Sequence, residues 1–201
     1  MARIRTFIAV DLAGPVRDRL KALQEKLGRE GSGVRWTPTD NFHLTLLFLG
    51  EVEQLDVVKI CRLVRSRARR HEPFALDVAG IGGFPNARRP KILWAGITDG
   101  VEPLRALHAD LEDGLLDLGC YRREEREYTP HLTLGRLTQE SQAEAWGPIL
   151  AKHAAWQGGG SDVDEVLVMA SDLRRDGPQY SVMGRAPLAG VPDRSARADD
   201  D

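Results

Sequence analysis

One tetrapeptide, HLTL, occurs twice in this chain of 201 residues, at residues 43–46 and again at residues 131–134. A chance second copy of a given tetrapeptide is expected roughly a few times in a thousand such chains, so the pair indicates an internal repeat. Alternate residues of a β-strand share a face, so each copy presents its histidine and threonine together and its two leucines on the opposite side. The repeat therefore predicts two similar strands, each anchored in a core by leucines.

Apolar periodicity around the two motifs predicts strands intermixed with helices. Strands are expected over residues 3–10, 43–49, 74–84, 90–97, 131–137, 163–170 and 178–184. Helices are expected from Val16 to a stop at Gly28, over 60–68, over 104–118 with closure by Gly119, and near 140–153. The glycine run 158–160 has the composition of a flexible connector. This mixed order favours an α+β or α/β domain over a helix bundle or a β-sandwich.

Composition excludes several classes of protein. With 42% hydrophobic and 29% charged residues the chain is typical of a compact globular protein, and its net charge of −2 provides no global basic field. Any contact with nucleic acid should therefore be local. The N-terminal apolar run is too short for a signal peptide, and no stretch approaches the ~20 apolar residues of a membrane span. We expect a cytoplasmic protein without membrane contact.

The chemistry of the repeated motif points to phosphate. If the two strands lie near one another, His43, Thr45, His131 and Thr133 supply an acid, a base and two hydrogen-bond donors to one cleft. These groups are what in-line displacement at phosphorus requires without a metal. A single strand histidine followed by threonine is usually structural, but two matched copies favour a function. Zinc is the alternative, yet neither motif offers a third ligand, so we expect no metal and no cofactor.

The paired motifs and the blocks around them resemble the two-histidine phosphoesterase superfamily. Within it they are most similar to the bacterial and archaeal RNA 2′,3′-cyclic phosphodiesterases, first described as 2′-5′ RNA ligases. The blocks that carry the resemblance are RTFIAVDL, VRW leading to NFHLTLLFLGEV, GGFPNARRPKILWAGI, YTPHLTLGRL and SDLRRDGPQYSV, and they cover about residues 3–188. The resemblance implies an α+β fold of two pseudo-symmetric lobes, each an antiparallel sheet backed by helices, with the active-site cleft between them. Residues 1–188 are then one two-lobed domain, and residues 189–201, which lack apolar content, form a disordered tail.

The resemblance also implies roles for the motif residues. His43 matches the family's proton donor and His131 its proton acceptor, while Thr45 and Thr133 match the threonines that bind phosphate. Arg136 matches an arginine that helps to hold phosphate in relatives. Strict strand alternation places Arg136 on the face opposite His131, so this role requires a bulge or bend, and a solvated strand-end arginine is the alternative.

Four further residues are candidates for substrate binding. Phe42 and Tyr128 could stack on a base, as aromatic side chains do in single-strand recognition, or they could be ordinary core or rim residues. Arg88 and Arg89 lie in the basic loop 84–91 and are candidates for contact with the RNA backbone. A solvated basic loop is the alternative for these two arginines.

The function implied is hydrolysis of 2′,3′-cyclic phosphates to 2′-phosphate ends by two-histidine acid and base catalysis. The expected partners are RNA 3′ ends or oligonucleotides that carry the cyclic phosphate, including tRNA fragments, and the chain is expected to be a monomer. Two alternatives stay open. One is 2′-5′ ligation of tRNA halves by the same groups, and the other is a non-catalytic module that binds RNA ends.

Overall fold

Nine strands form two antiparallel sheets in the computed structural model, which describes residues 2–123, 126–174 and 177–191. The strands are β1 Arg3–Val10, β2 Val34–Trp36, β3 Leu44–Glu53, β4 Phe74–Phe84, β5 Ile92–Asp99, β6 His131–Leu137, β7 Gln157–Val163, β8 Glu165–Arg174 and β9 Gly177–Pro187. The α-helices are α1 Gly14–Glu30, α2 Gln54–Ala68, α3 Val101–Leu118 and α4 Trp146–Lys152, and short 3₁₀ turns cover Thr39–Asn41 and Glu140–Ala145.

Each sheet contains one of the two motif strands. Sheet A has the order β3-β1-β8-β9, and sheet B has the order β2-β6-β5-β4-β7. Helix α2 packs on β8, β9 and α3 behind sheet A, whereas α1 contacts β7 and α4 contacts β4 on sheet B. This arrangement confirms the expected α+β fold with an antiparallel sheet and backing helices in each lobe.

The alternation predicted for the two motifs is also present. The leucines Leu44, Leu46, Leu132 and Leu134 are buried, whereas the histidine and threonine of each motif are half-buried. Full burial of a leucine side chain contributes about 1.5–3 kcal/mol, so each motif strand is held firmly from behind. The two anchoring leucines thereby fix which face of each strand points forward.

A β-bulge is repeated at the same position of both motif strands. In sheet B, Trp94 of β5 pairs with Thr133, whereas the adjacent Leu93 pairs with Gly135. One residue of β6 between Thr133 and Gly135 therefore has no partner on β5. Strand β3 shows the same shift against β1, immediately after its motif threonine. The bulge moves the alternation by one residue, so Arg136 lies on the face of Thr133 and not on the opposite face.

The bulge in β6 is held by helix α1. The extra residue is Leu134, whose carbonyl accepts hydrogen bonds from the Thr37 backbone N–H at 2.9 Å and from the Gln24 side-chain amide at 2.8 Å. Gln24 is buried, and its amide donates a second bond to the Thr37 carbonyl. Because a buried carbonyl without a partner is costly, these bonds stabilise the bulged strand.

Two predictions that rest on glycine are wrong. Helix α1 does not stop at Gly28 but continues to Glu30, and a Cβ on Gly28 would only make an ordinary contact with the Trp36 indole, at 3.6 Å. The run 158–160 is not a connector but part of β7, paired with β4. A Cβ on Gly158 would lie 2.6 Å from the Trp156 ring, so glycine permits a close approach within the sheet.

The end of the chain is described only as far as residue 191. The backbone N–H of Ala189 donates to the His71 carbonyl at 2.9 Å, and that of Val191 donates to the Leu188 carbonyl at 3.2 Å. The rest of the predicted disordered tail, residues 192–201, lies outside the described residues. A single domain over residues 1–188 stays a prediction.

Replacing Gly135 by alanine should destabilise the fold at the bulge. The new Cβ would lie 2.6 Å from Val34 Cγ1 and 3.0 Å from the Arg35 carbonyl oxygen, so β2 must move away from β6. Overpacking of this kind costs about 1–3 kcal/mol, which urea unfolding followed by circular dichroism would measure. Gly14→Ala is the matched control, because nothing lies within 4 Å of its Cβ. Equal unfolding midpoints for the two variants would contradict this account of the bulge.

Candidate active site

The two motif strands meet although they belong to different sheets. Strands β3 and β6 contact one another, and the hydroxyl of Tyr128 donates a hydrogen bond to the Thr45 carbonyl at 3.2 Å. Tyr128 lies three residues before His131, so the segment that leads into one motif is bonded to the backbone of the other. The two HLTL motifs are thereby brought to one cleft.

Both imidazoles are oriented by the same local bond. Nδ1 of His43 lies 2.8 Å from the Asn41 carbonyl oxygen, and Nδ1 of His131 lies 2.7 Å from the Thr129 carbonyl oxygen. A carbonyl only accepts hydrogen bonds, so Nδ1 carries the proton in each ring. In a neutral ring this leaves the lone pair on Nε2.

Aromatic side chains surround His43. Its ring stacks on Phe7 with centroids 4.8 Å apart and meets the ring of Tyr180 edge-on at 5.2 Å. Burial lowers the pKa of His43 to about 4, although its bond to the Asn41 carbonyl acts in the opposite direction. The charges of Arg17 and Asp11 act in opposite senses on this pKa. His43 is therefore neutral at pH 7 in the free protein.

His131 has a different environment. Its ring meets Phe84 edge-on at 4.9 Å. Burial lowers the pKa of His131, the bond to the Thr129 carbonyl raises it, and the positive charge of Arg136 lowers it further. Acid and base catalysis requires one protonated and one neutral imidazole. In the free protein, however, burial lowers the pKa of both rings, and both are neutral at pH 7.

Arg136 links the two halves of the cleft. It lies close enough to lower the pKa of His131 and also acts on Tyr180, the residue of sheet A whose ring touches His43. Arg136 is exposed, and the bulge places it on the same face as Thr133. A guanidinium near His131, on the face that also carries Thr133, suits an anion such as phosphate.

The two aromatic residues expected to stack on a base have other positions. Phe42 is only 2% exposed and belongs to the core, so its ring offers no face to a base and the predicted stacking role is wrong. The ring of Tyr128 stacks on His108 with centroids 4.1 Å apart, and its hydroxyl is bonded to Thr45. One face of Tyr128 is therefore occupied within the protein.

The basic loop 84–91 lies beside the His131 half of the cleft. It follows Phe84, whose ring contacts His131. The backbone N–H groups of Arg88 and Arg89 both donate to the Asn86 side chain, at 3.1 and 3.0 Å, and both arginines are exposed. Arg89 also pairs with Glu144 at 3.3 Å, whereas Arg88 extends the positive charge of the loop toward solvent.

The aromatic residues that pack around the two histidines, directly or through Phe84, are not among the residues predicted for the site. They are Phe7, Phe84, Trp94 and Tyr180, which come from β1, β4, β5 and β9. All four lie within the blocks that carry the family resemblance, which is the only sequence signal that could have pointed to them. Their convergence depends on the pairing of distant strands, which periodicity does not report.

The described ranges offer neither a cluster of metal ligands nor a membrane-spanning helix. Within residues 2–123, 126–174 and 177–191, no three His, Cys, Asp or Glu side chains are grouped so that they could hold a metal ion. In the same ranges no helix combines the length and the apolar character that a membrane span needs.

Proteins of similar sequence identify the family of this chain. The model of the LigT-like phosphoesterase family matches residues 10–94, which include the first HLTL motif. An RNA 2′,3′-cyclic phosphodiesterase of Methanothermobacter thermautotrophicus is 32% identical over 90% of this chain and 97% of its own length. The protein of the same name from Thermotoga maritima is 30% identical over 93% of this chain and 97% of its own length.

Solved structures show the same fold. A crystal structure of a Thermus thermophilus protein has a TM-score of 0.79 and 27% identity, covering 94% of this chain and all of that one. The Escherichia coli LigT structure complexed with 3′-AMP has a TM-score of 0.74 and 25% identity, covering 92% and 98% of the two chains. With its paired motifs on two matched strands and relatives similar along nearly their whole length, the chain belongs to the LigT-like phosphoesterase family of RNA 2′,3′-cyclic phosphodiesterases.

Proposed function

We propose that this protein opens 2′,3′-cyclic phosphates at RNA 3′ ends to 2′-phosphates, with His43 as proton donor and His131 as proton acceptor. The observation that carries the proposal is the pair of matched imidazoles, each bonded through Nδ1 to a backbone carbonyl two residues earlier, on two strands in contact. The two Nε2 atoms are then the groups free to exchange protons with a substrate between the sheets.

The steps of the reaction depend on these positions. Nε2 of His131 takes a proton from water as the water oxygen attacks phosphorus, and protonated His43 donates a proton to the departing ribose O3′. The phosphate stays attached to O2′, so one water is consumed and one P–O bond is exchanged for another. Thr45 and Thr133 donate hydrogen bonds to the non-bridging oxygens, and Arg136 offsets their growing negative charge.

Substrate binding supplies the protonation state that catalysis needs. Burial, with a smaller effect from the charge of Arg136, lowers the pKa of His131, and a neutral ring suits a base. His43 is neutral in the free protein, but the negative charge of a bound cyclic phosphate favours its imidazolium form. The substrate thus raises the pKa of the proton donor beside it.

The partners that we propose are RNA 3′ ends with a cyclic phosphate, on tRNA fragments or other oligonucleotides in the cytoplasm. Both motif strands come from one chain, which supports action as a monomer. A 5′-hydroxyl in place of water would give 2′-5′ ligation by the same groups. It would enter on the His131 side, where the loop with Arg88 and Arg89 offers positive charge to an incoming strand.

Loss of either histidine tests catalysis against simple binding of RNA ends. His43→Ala and His131→Ala should each lower turnover of adenosine 2′,3′-cyclic phosphate by about 10²-fold or more, in buffer with excess EDTA. The double variant should lose much less than the product of the two effects, because the two proton transfers belong to one reaction. His71→Ala is the control with full activity, because this half-buried histidine pairs with Asp110 on α3, away from both motifs. Turnover near the original level in either site variant would remove that histidine from the mechanism.

The lowered pKa values of the histidines determine the pH dependence. His131 must be neutral and His43 protonated, so kcat/KM, which reports the free enzyme, should peak below pH 6.5 and fall about tenfold per pH unit above both pKa values. The bound anion raises the pKa of His43, so the basic limb of kcat should lie at higher pH than that of kcat/KM. Stopped assays from pH 4 to 9 would measure both. A kcat/KM that stays constant from pH 6.5 to 8.5 would contradict the assignment.

Arg136→Gln should weaken phosphate binding and change the titration of its neighbour. Loss of a hydrogen bond to a charged group costs about 1.5–3 kcal/mol, which corresponds to roughly tenfold or more in kcat/KM. Removal of the positive charge should also raise the pKa of His131, measurable by NMR titration of its ring protons. Arg62→Gln, at an exposed position of α2, is the matched control. An unchanged His131 titration in Arg136→Gln would show that the arginine does not act on the base.

A further inference from the structure

A groove of about 580 Å³ extends over the front of sheet A from His43. Met169, Val182 and Tyr180 line it, and the fully buried Ala9 lies beneath it on the neighbouring strand β1. The volume is within the range of about 300–1,000 Å³ that is usual for small-molecule sites. The groove therefore has room for a molecular group next to the proton donor.

The corresponding space on sheet B is filled by a side chain. Ala9 pairs with Thr45 in sheet A, and at the equivalent place in sheet B Trp94 pairs with Thr133. The Trp94 ring extends across the next strand, where a Cβ on Gly82 would overlap it. The pseudo-symmetric cleft is thus open beside one motif and occupied beside the other, because alanine stands where the second sheet has tryptophan.

The geometry of the reaction determines on which side the nucleoside lies. His43 donates its proton to O3′, and this oxygen belongs to the terminal ribose itself. The attacking water enters in line from the His131 side, opposite the bond that breaks. The ribose and its base must therefore extend on the His43 side, which is where the groove begins.

The charges along the groove are largely paired within the protein. Arg17 pairs with Asp11, and Arg174 pairs with Asp172 at 2.9 Å. A guanidinium that already holds a carboxylate attracts a further anion less strongly than a free one. The exposed amide of Gln179 adds a donor and an acceptor at the edge of the groove. This lining suits a neutral base better than a row of phosphates.

We infer that the groove binds the terminal nucleoside of the substrate, and that the small side chain of Ala9 is what opens it on this side of the cleft. The inference rests on the proposed function, because it uses the position of the leaving oxygen beside His43. It assigns base recognition to the Tyr180 side of sheet A rather than to Phe42, which is buried, or to Tyr128, which is stacked on His108.

Two substrates that differ only in the base test this site. They are adenosine 2′,3′-cyclic phosphate and methyl β-ribofuranoside 2′,3′-cyclic phosphate, which has the same reacting atoms and no base. The native protein should prefer the first by at least tenfold in kcat/KM. Val182→Trp should lower this ratio at least tenfold, because the indole fills the groove, and a side chain that is 43% exposed tolerates the change. Val58→Trp, at a position 55% exposed on α2, should keep the ratio.

Different outcomes would contradict the groove assignment and the proposed function. Hydrolysis of both substrates with the same ratio in Val182→Trp and Val58→Trp would overturn the groove assignment and leave the proposed function intact. Hydrolysis of neither substrate by the native protein would overturn the proposed function. In that case calorimetric titration with adenosine 2′-phosphate decides the groove. At least tenfold weaker binding in Val182→Trp alone supports it, and equal affinity in the three proteins overturns it.

Discussion

The bond from each imidazole Nδ1 to the carbonyl two residues earlier is the constraint on which the site depends. It fixes the tautomer, so that Nε2 of both rings is the atom available for proton transfer, and it ties each ring to the backbone just before its strand. The carbonyls of Asn41 and Thr129 are positioned because Leu44 and Leu132 anchor the adjoining strands. Correct placement of the two Nε2 atoms is therefore a consequence of core packing behind the two sheets.

The lobes are joined across the cleft by contacts that are individually small. The hydroxyl of Tyr128 is bonded to the Thr45 carbonyl, and Tyr180 from sheet A touches His43 and lies within the influence of Arg136 from sheet B. A hydrogen bond of this kind contributes about 0.5–1.5 kcal/mol net. These contacts alone cannot hold two sheets together. The shared apolar core holds the lobes, and the contacts across the cleft align the two motif strands with one another.

Local periodicity predicts most elements of this fold, and it fails where the pairing of distant strands determines which face a residue occupies. The leucine-anchored motifs are predictable because alternation is a property of one strand, and β6 begins and ends at the predicted residues. Strict alternation puts Arg136 on the wrong face, because the bulge that changes the face is visible only in the pairing of β5 with β6. Composition predicts a linker at Gly158, and this prediction fails because composition does not report close contacts. The glycine is needed there for its close contact with the Trp156 ring. Tyr180 lies in a predicted strand, but no local pattern shows that its ring reaches His43.

The two halves of the duplicated fold differ at a few positions around identical motifs, and these differences bear on the acid and base roles that we propose. Both strands carry HLTL and a bulge after the threonine, so the residue five positions beyond each histidine lies on the cleft face. That residue is Phe48 in sheet A and Arg136 in sheet B. In the proposed reaction, burial and then the charge of Arg136 lower the pKa of His131, so that its ring is neutral and can accept a proton. His43, buried against Phe7, gains its proton when an anion binds. The repeat therefore brings two imidazoles to one cleft, and the residues that differ between its two halves give the two rings different surroundings.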